Sequence, residues 1–133
     1  MLEKLQKFVD EMKSTSSLNE KKVIIDSIKN NEFITSSLNY TYDPYKKYYV
    51  TSKTCKKNFD LLGHPNTYGS IFTLLDDLAN RVCTGHDAIA NVNRFILENK
   101  QYEDLIFSII DRNLEIRASD SVINKVIPNL IPT

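Results

Sequence analysis

Apolar residues recur along this chain at intervals of three and four, and that spacing alone divides it into short helices. Leu2, Leu5, Phe8, Val9 and Met12 share one helical face. After a "STSS" loop, Ser17 with Glu20 three residues on has the spacing of a capping box. The helix it opens is expected to carry Val23, Ile24, Ile25 and Ile28 inward. A third helix is expected over residues 32–39. Asp43-Pro44 closes it, because proline drives the residue before it out of the helical region. The clearest periodicity is Ile71, Leu74, Leu75, Leu78, Ala79 and Val82. Thr84, with Asp87 as its reciprocal acid, is expected to cap the next helix, whose inner face is Ala88, Ile89, Val92, Phe95 and Ile96. Tyr102, Leu105, Ile106, Ile109 and Ile110 mark another. Ser119 caps the last, with Val122, Ile123 and Val126 inward and Pro128 and Pro132 ending it.

The stretch over 45–57 is less regular. Tyr48, Tyr49 and Val50 favour strand, but no partner strand is evident elsewhere. It reads as one more short helix, followed by an irregular loop through Gly63, Pro65 and Gly69. Three glycines and four prolines are too few for a sandwich or barrel of many turns. The expected fold is therefore all-α, a compact bundle of seven to eight short helices. At 133 residues a single domain is the default. It is expected to span 1–127, with 128–133 beginning a linker. No apolar run is long enough to cross a membrane, and the charged N-terminal pattern is not a signal peptide. Two cysteines, Cys55 and Cys83, make no disulfide framework, which points to a reducing cytosol.

Lys+Arg and Asp+Glu number 17 each, so net charge neither favours nor excludes a polyanionic partner. The distribution is uneven. No acid lies between Asp43 and Asp60, while Lys46, Lys47, Lys53, Lys56 and Lys57 fall there with Tyr45, Tyr48 and Tyr49 among them. Catalytic machinery is harder to find. No glycine-rich phosphate loop is present, and His64 and His86 belong to no His-Glu-x-x-His helix. Cys83, His86, Cys55 and His64 lack the paired spacing of a zinc site. Asp76-Asp77 and Glu103-Asp104 are adjacent on helices, so each pair diverges by about 100° and reads as solvated surface. Arg81 and Arg94 could pair with Asp77 or Glu98.

Binding is what remains. Thr84, Gly85 and His86 would present backbone N–H groups at one helix start. Arg112, Arg117, Ser119 and Ser121, with Lys125 nearby, would do so at a second. A capped helix start is ordinarily structural, and a surface lysine is ordinarily solvated. The two starts and the acid-free lysine stretch together raise nucleic acid as a partner, with both starts expected to share one anion-holding surface.

The segment "RNLEIRASDSVINKVIPNLIP" resembles the end of the N-terminal DNA-binding domain of ATP-dependent DNA ligases, most closely the T-even-phage type. There an Arg-Asp-Leu-Glu-x-Gly-Ala-Ser stretch precedes a helix with Asn-Lys-Val and a Pro-Gly-Leu-Ile-Pro link. Arg112, Leu114, Glu115, Ala118, Ser119, Asn124, Lys125, Val126, Pro128, Leu130, Ile131 and Pro132 stand at matching places. "RVCTGHDAI" and "LNYTYDPYKKYYV" are similar to further family segments. Two positions depart: the family glycine is Arg117 here, and the Asp after the arginine is Asn113. The resemblance implies a DNA-ligase-like helical domain that grips nicked double-stranded DNA through phosphate, sugar and minor-groove contacts, as a monomer. It also implies replication and repair as the setting. The adenylated lysine of the family, in a Lys-x-Asp-Gly motif, has no counterpart in this sequence. The chain by itself is thus expected to be non-catalytic and to need no cofactor, ATP and Mg²⁺ serving the full ligase. The alternative is a helical protein-interaction module without DNA contact.

Overall fold

Eight α-helices and one 3-10 turn make up the secondary structure, and no residue lies in a strand. The computed structural model describes residues 1–133. In chain order the helices are α1 (Leu2–Lys13), α2 (Leu18–Ser27), α3 (Glu32–Tyr42), α4 (Ser52–Lys57), α5 (Ile71–Ala79), α6 (Gly85–Glu98), α7 (Glu103–Ile110) and α8 (Asp120–Val126). The 3-10 turn, Lys100–Tyr102, leads into α7. The all-α expectation holds. No helix is long and apolar enough to cross a membrane. The helices form two compact units, Met1–Tyr45 with Arg112–Thr133, and Lys46–Asp111.

In the first unit, α1 packs on α2 and α3, and α8 packs on α2. Leu5, Phe8, Val9 and Met12 are buried, as their spacing requires. Ser17 caps α2 by accepting the Glu20 N–H at 3.3 Å. The return arm runs through a third residue. The Glu20 carboxylate takes the Thr15 hydroxyl, and that oxygen accepts the Ser17 N–H.

α2 itself departs from the expectation. Val23 is 69 % exposed and Ile24 half-buried, whereas Lys21 is only 4 % exposed. The Lys21 ammonium donates to the Met12 carbonyl at 2.6 Å and to the Ile116 carbonyl at 2.8 Å. Carbonyls in the last turn of α1 have no partner within their own helix, and the lysine supplies one while its methylene stem packs in the core.

The segment leading into α8 alternates. Leu114 and Ile116 are buried, and Glu115 and Arg117 point outward. The Leu114 N–H donates to the Tyr42 hydroxyl at 3.1 Å, and the Glu115 N–H to Asn113 Oδ1 at 2.8 Å. Beyond α8, Asn124 pairs through both its amide atoms with the backbone of Ile131, and the Ile131 side chain is buried.

In the second unit α6 is the hub, contacting α4, α5 and α7. Ala88, Ile89, Val92, Phe95 and Ile96 face inward as predicted. So does Asn93, whose Nδ2 donates to the carbonyls of Cys55, Asn58 and Leu61 at 3.3, 2.9 and 3.1 Å. The chain after α4 is held against α6 a second time at Gly63. Its N–H donates to the Ala90 carbonyl at 2.9 Å, and its own carbonyl accepts Arg94 Nε at 2.7 Å. A Cβ at Gly63 would lie 2.5 Å from Asn91 Oδ1, so a larger residue there would have to push the Asn91 side chain aside. α5 ends at Ala79, one turn sooner than its apolar spacing suggests. Arg81 then takes a left-handed φ of 55° and Val82 is 70 % exposed.

Candidate nucleic-acid interface

The start of α6 has unused donors. Thr84 is the N-cap residue, but its hydroxyl makes no capping bond, and the reciprocal capping expected of Asp87 does not form. Instead the Thr84 carbonyl accepts the N–H groups of Asp87 at 3.1 Å and Ala88 at 3.3 Å. Gly85 turns the chain with φ 54°, a conformation glycine adopts without steric cost. The N–H groups of Gly85 and His86 have no partner within the chain. Thr84, Gly85 and His86 are all exposed. α6 is 14 residues long, and its aligned peptides place partial positive charge at this end, opposed locally by Asp87.

The start of α8 is closed. Ser119 Oγ accepts the Val122 N–H at 3.3 Å and lies 3.0 Å from Ser121 Oγ. α8 has seven residues, and Lys125 sits in its last turn, about 7.5 Å along the axis from the first residue. Arg112 is committed elsewhere in the same unit: Nη2 donates to the Asp43 carbonyl at 2.7 Å. Its Nε is buried without a partner. Arg117 is exposed, and its guanidinium has no partner in the chain.

The acid-free stretch divides by environment. Tyr48 is buried, while Tyr45 and Tyr49 are exposed. Lys46 is half-buried; Lys47, Lys53, Lys56 and Lys57 are exposed. Lys56 lies 5.2 Å above the Phe107 ring. Lys56 and Lys57 also occupy the last turn of α4, where positive charge offsets the negative helix end. Tyr49 and Arg81 both have left-handed φ, 60° and 55°, and the guanidinium stacks 4.3 Å from the ring centroid. Arg81 and Arg94 therefore do not make the ion pairs that spacing suggested. Asp77 instead accepts the Tyr68 hydroxyl, and Glu98 the Asn66 N–H.

The predicted residues thus belong to two units. Thr84, Gly85, His86 and the lysines lie in Lys46–Asp111; Arg112, Arg117, Ser119, Ser121 and Lys125 lie in the other. Burial, with the Asp111 charge adding to it, pushes the Cys55 thiol up to about 11, which keeps it an unreactive thiol near neutrality. Burial and the Asp77 hydrogen bond likewise raise Tyr68. No group of three or more His, Cys, Asp or Glu side chains could hold a metal ion.

Sequence reasoning passed over Lys21 and Asn93. Each sits in register with an apolar stripe, Lys21 four residues before Ile25 and Asn93 four after Ile89. A polar residue on a buried stripe signals a group that must find hydrogen-bond partners inside.

No family profile matches the sequence. Two curated relatives do: the DNA ligases of Enterobacteria phage T4 and of Enterobacteria phage T6. Each is 30% identical over 134 residues, which cover 95% of this chain and 26% of the relative. The chain thus spans about a quarter of the length of the curated relatives it matches. Among solved structures, those described as Pmar-Lig_PreS3 and Pmar-Lig_Pre. superpose with TM-scores of 0.70 at 17% identity. They cover 96% and 92% of this chain, and 31% and 29% of theirs. At that identity the likeness speaks for the fold. The phage DNA-ligase sequences are similar to this chain over nearly its whole length, in keeping with its resemblance to the N-terminal domain of T-even-phage ligases, and the solved structures share its helical fold.

Proposed function

We propose that this chain binds duplex DNA without reading its sequence, gripping phosphates and sugars around a nick as the N-terminal domain of an ATP-dependent ligase. The observation that carries the reading is the sequence match to the phage DNA ligases over 95% of the chain. The exposed start of α6 supports it. Two unpartnered N–H groups, an uncommitted Thr84 hydroxyl and the positive helix end suit a phosphate oxygen. A nick occurs in any sequence, so useful contacts go to the backbone rather than to base edges. Arg117, Ser121 and Lys125 would add contacts from the other unit, and Lys47, Lys53 and Lys57 would supply long-range attraction. Arg112 would act by holding its loop on Asp43. Adenylyl transfer with ATP and Mg²⁺ is assigned to no residue here, since the sequence has no Lys-x-Asp-Gly motif.

The test is fluorescence anisotropy with nicked, intact and single-stranded DNA of unrelated sequences over a range of salt. Neutralising about five phosphates would give a log–log salt slope of roughly −4 to −5, alike for every duplex sequence. Absence of duplex binding at low salt would overturn the reading and leave a protein-interaction role.

A further inference from the structure

A cavity of about 940 Å³ opens to solvent between the α1–α2 turn and the 113–117 segment, both in the first unit. Lys13, Lys21 and Arg117 line it, and Glu115 is the one carboxylate among its lining residues. Lys21 is the unusual member. Its ammonium is buried, it has no carboxylate partner, and the Met12 and Ile116 carbonyls use two of its donors. An ammonium has three N–H donors, so one remains. A buried cation without a counter-charge is costly, and its cost falls when an anion arrives. Lys13 and Arg117 are likewise unpaired, and Ser16 adds a hydroxyl with no partner in the chain. The nearby Glu20 carboxylate is engaged by Thr15. Arg117 reaches this wall from a left-handed backbone, φ 54°, where a bulky residue costs conformational energy.

We propose that this cavity seats a phosphate group of a polynucleotide backbone, held by Lys13, Arg117 and the remaining Lys21 N–H. This rests on the duplex-DNA reading above and places a contact at the α1–α2 turn. The open mouth favours a phosphate carried on a polymer, since a free ion there stays hydrated and gains little. Lys13 and Arg117 contribute the charge, and Lys21 contributes a donor fixed in place before the ligand arrives.

The experiment compares the intact chain with the double variant Lys13→Gln/Arg117→Gln, both surface changes, by anisotropy on a labelled duplex across salt. The expected result is a salt slope shallower by about 1 and an affinity at low salt reduced on the order of tenfold. In parallel, the Lys21 side-chain NMR signals are followed as duplex DNA or inorganic pyrophosphate is added. Duplex should move them in the intact chain and much less in the double variant. If the intact chain binds duplex and the double variant matches it in affinity and slope, the cavity is not the contact, while DNA binding itself stands. If the intact chain binds no duplex but pyrophosphate moves the Lys21 signals, the DNA reading fails and a free phosphate compound replaces the polynucleotide. If neither ligand moves those signals, the site is overturned outright.

Discussion

The starts of α6 and α8 are written alike, a hydroxyl residue with an acid close behind, yet only one of them closes on itself. Ser119 turns its oxygen onto the Val122 N–H, and Ser121 lies beside it. Thr84 leaves its hydroxyl unused, and Gly85 and His86 leave their N–H groups open. The difference lies one residue on. Gly85 takes a left-handed φ at the first position of α6, whereas Asp120 opens α8 without one. A capping motif therefore marks where a helix begins. Whether that beginning is a finished structural joint or an open anion cradle depends on the backbone angle beside the cap.

The largest effect should come from the body of α6. Asn93→Ala leaves the Cys55, Asn58 and Leu61 carbonyls without their shared donor, and should cost about 2–3 kcal/mol in urea unfolding. A cost under about 0.5 kcal/mol would deny α6 its role as the second unit's hub. Next, Gly85→Ala should cost about 1–2 kcal/mol. A Cβ there meets nothing within 4 Å, so the penalty is conformational rather than steric crowding. The same variant should also weaken duplex binding, because the chain relaxes by closing the cradle.

A paired substitution tests the comparison directly. Ser119→Ala should cost about 1 kcal/mol, the ordinary worth of a cap, and Thr84→Ala less than about 0.3 kcal/mol. Equal losses in thermal unfolding would remove the distinction between the two starts. The smallest expected change is a gain: Arg117→Gly should stabilise the chain by roughly 0.5–1 kcal/mol by relieving φ 54°. That gain should be accompanied by weaker duplex binding. The position is where the resembling ligases carry glycine, so the geometry accounts for the family residue and leaves arginine as the strained substitute.

Much of the fold was legible. The inner faces of α1, α6 and α7 and the Ser17 and Ser119 caps stand where spacing put them. α2 was misread because Val23 and Ile24 are more apolar than Lys21, but a helix face is chosen by what it packs against. The carbonyls of Met12 and Ile116 select the lysine. The site was less legible. Arg112 and Arg117 look equivalent as text, yet one is tied to the Asp43 carbonyl and the other is unpaired.

By itself the sequence determined the number and order of the helices, the apolar stripes they bury and the ligase likeness of the segment around Ser119. Those follow from local periodicity and from residues close in the chain. Only the tertiary structure decided which donors stay open. Lys21 meets Ile116 across ninety-five positions, and Arg112 meets Asp43 across sixty-nine. A hydrogen-bonding group is available to a ligand only after the fold has taken those it needs, and no local pattern records that choice.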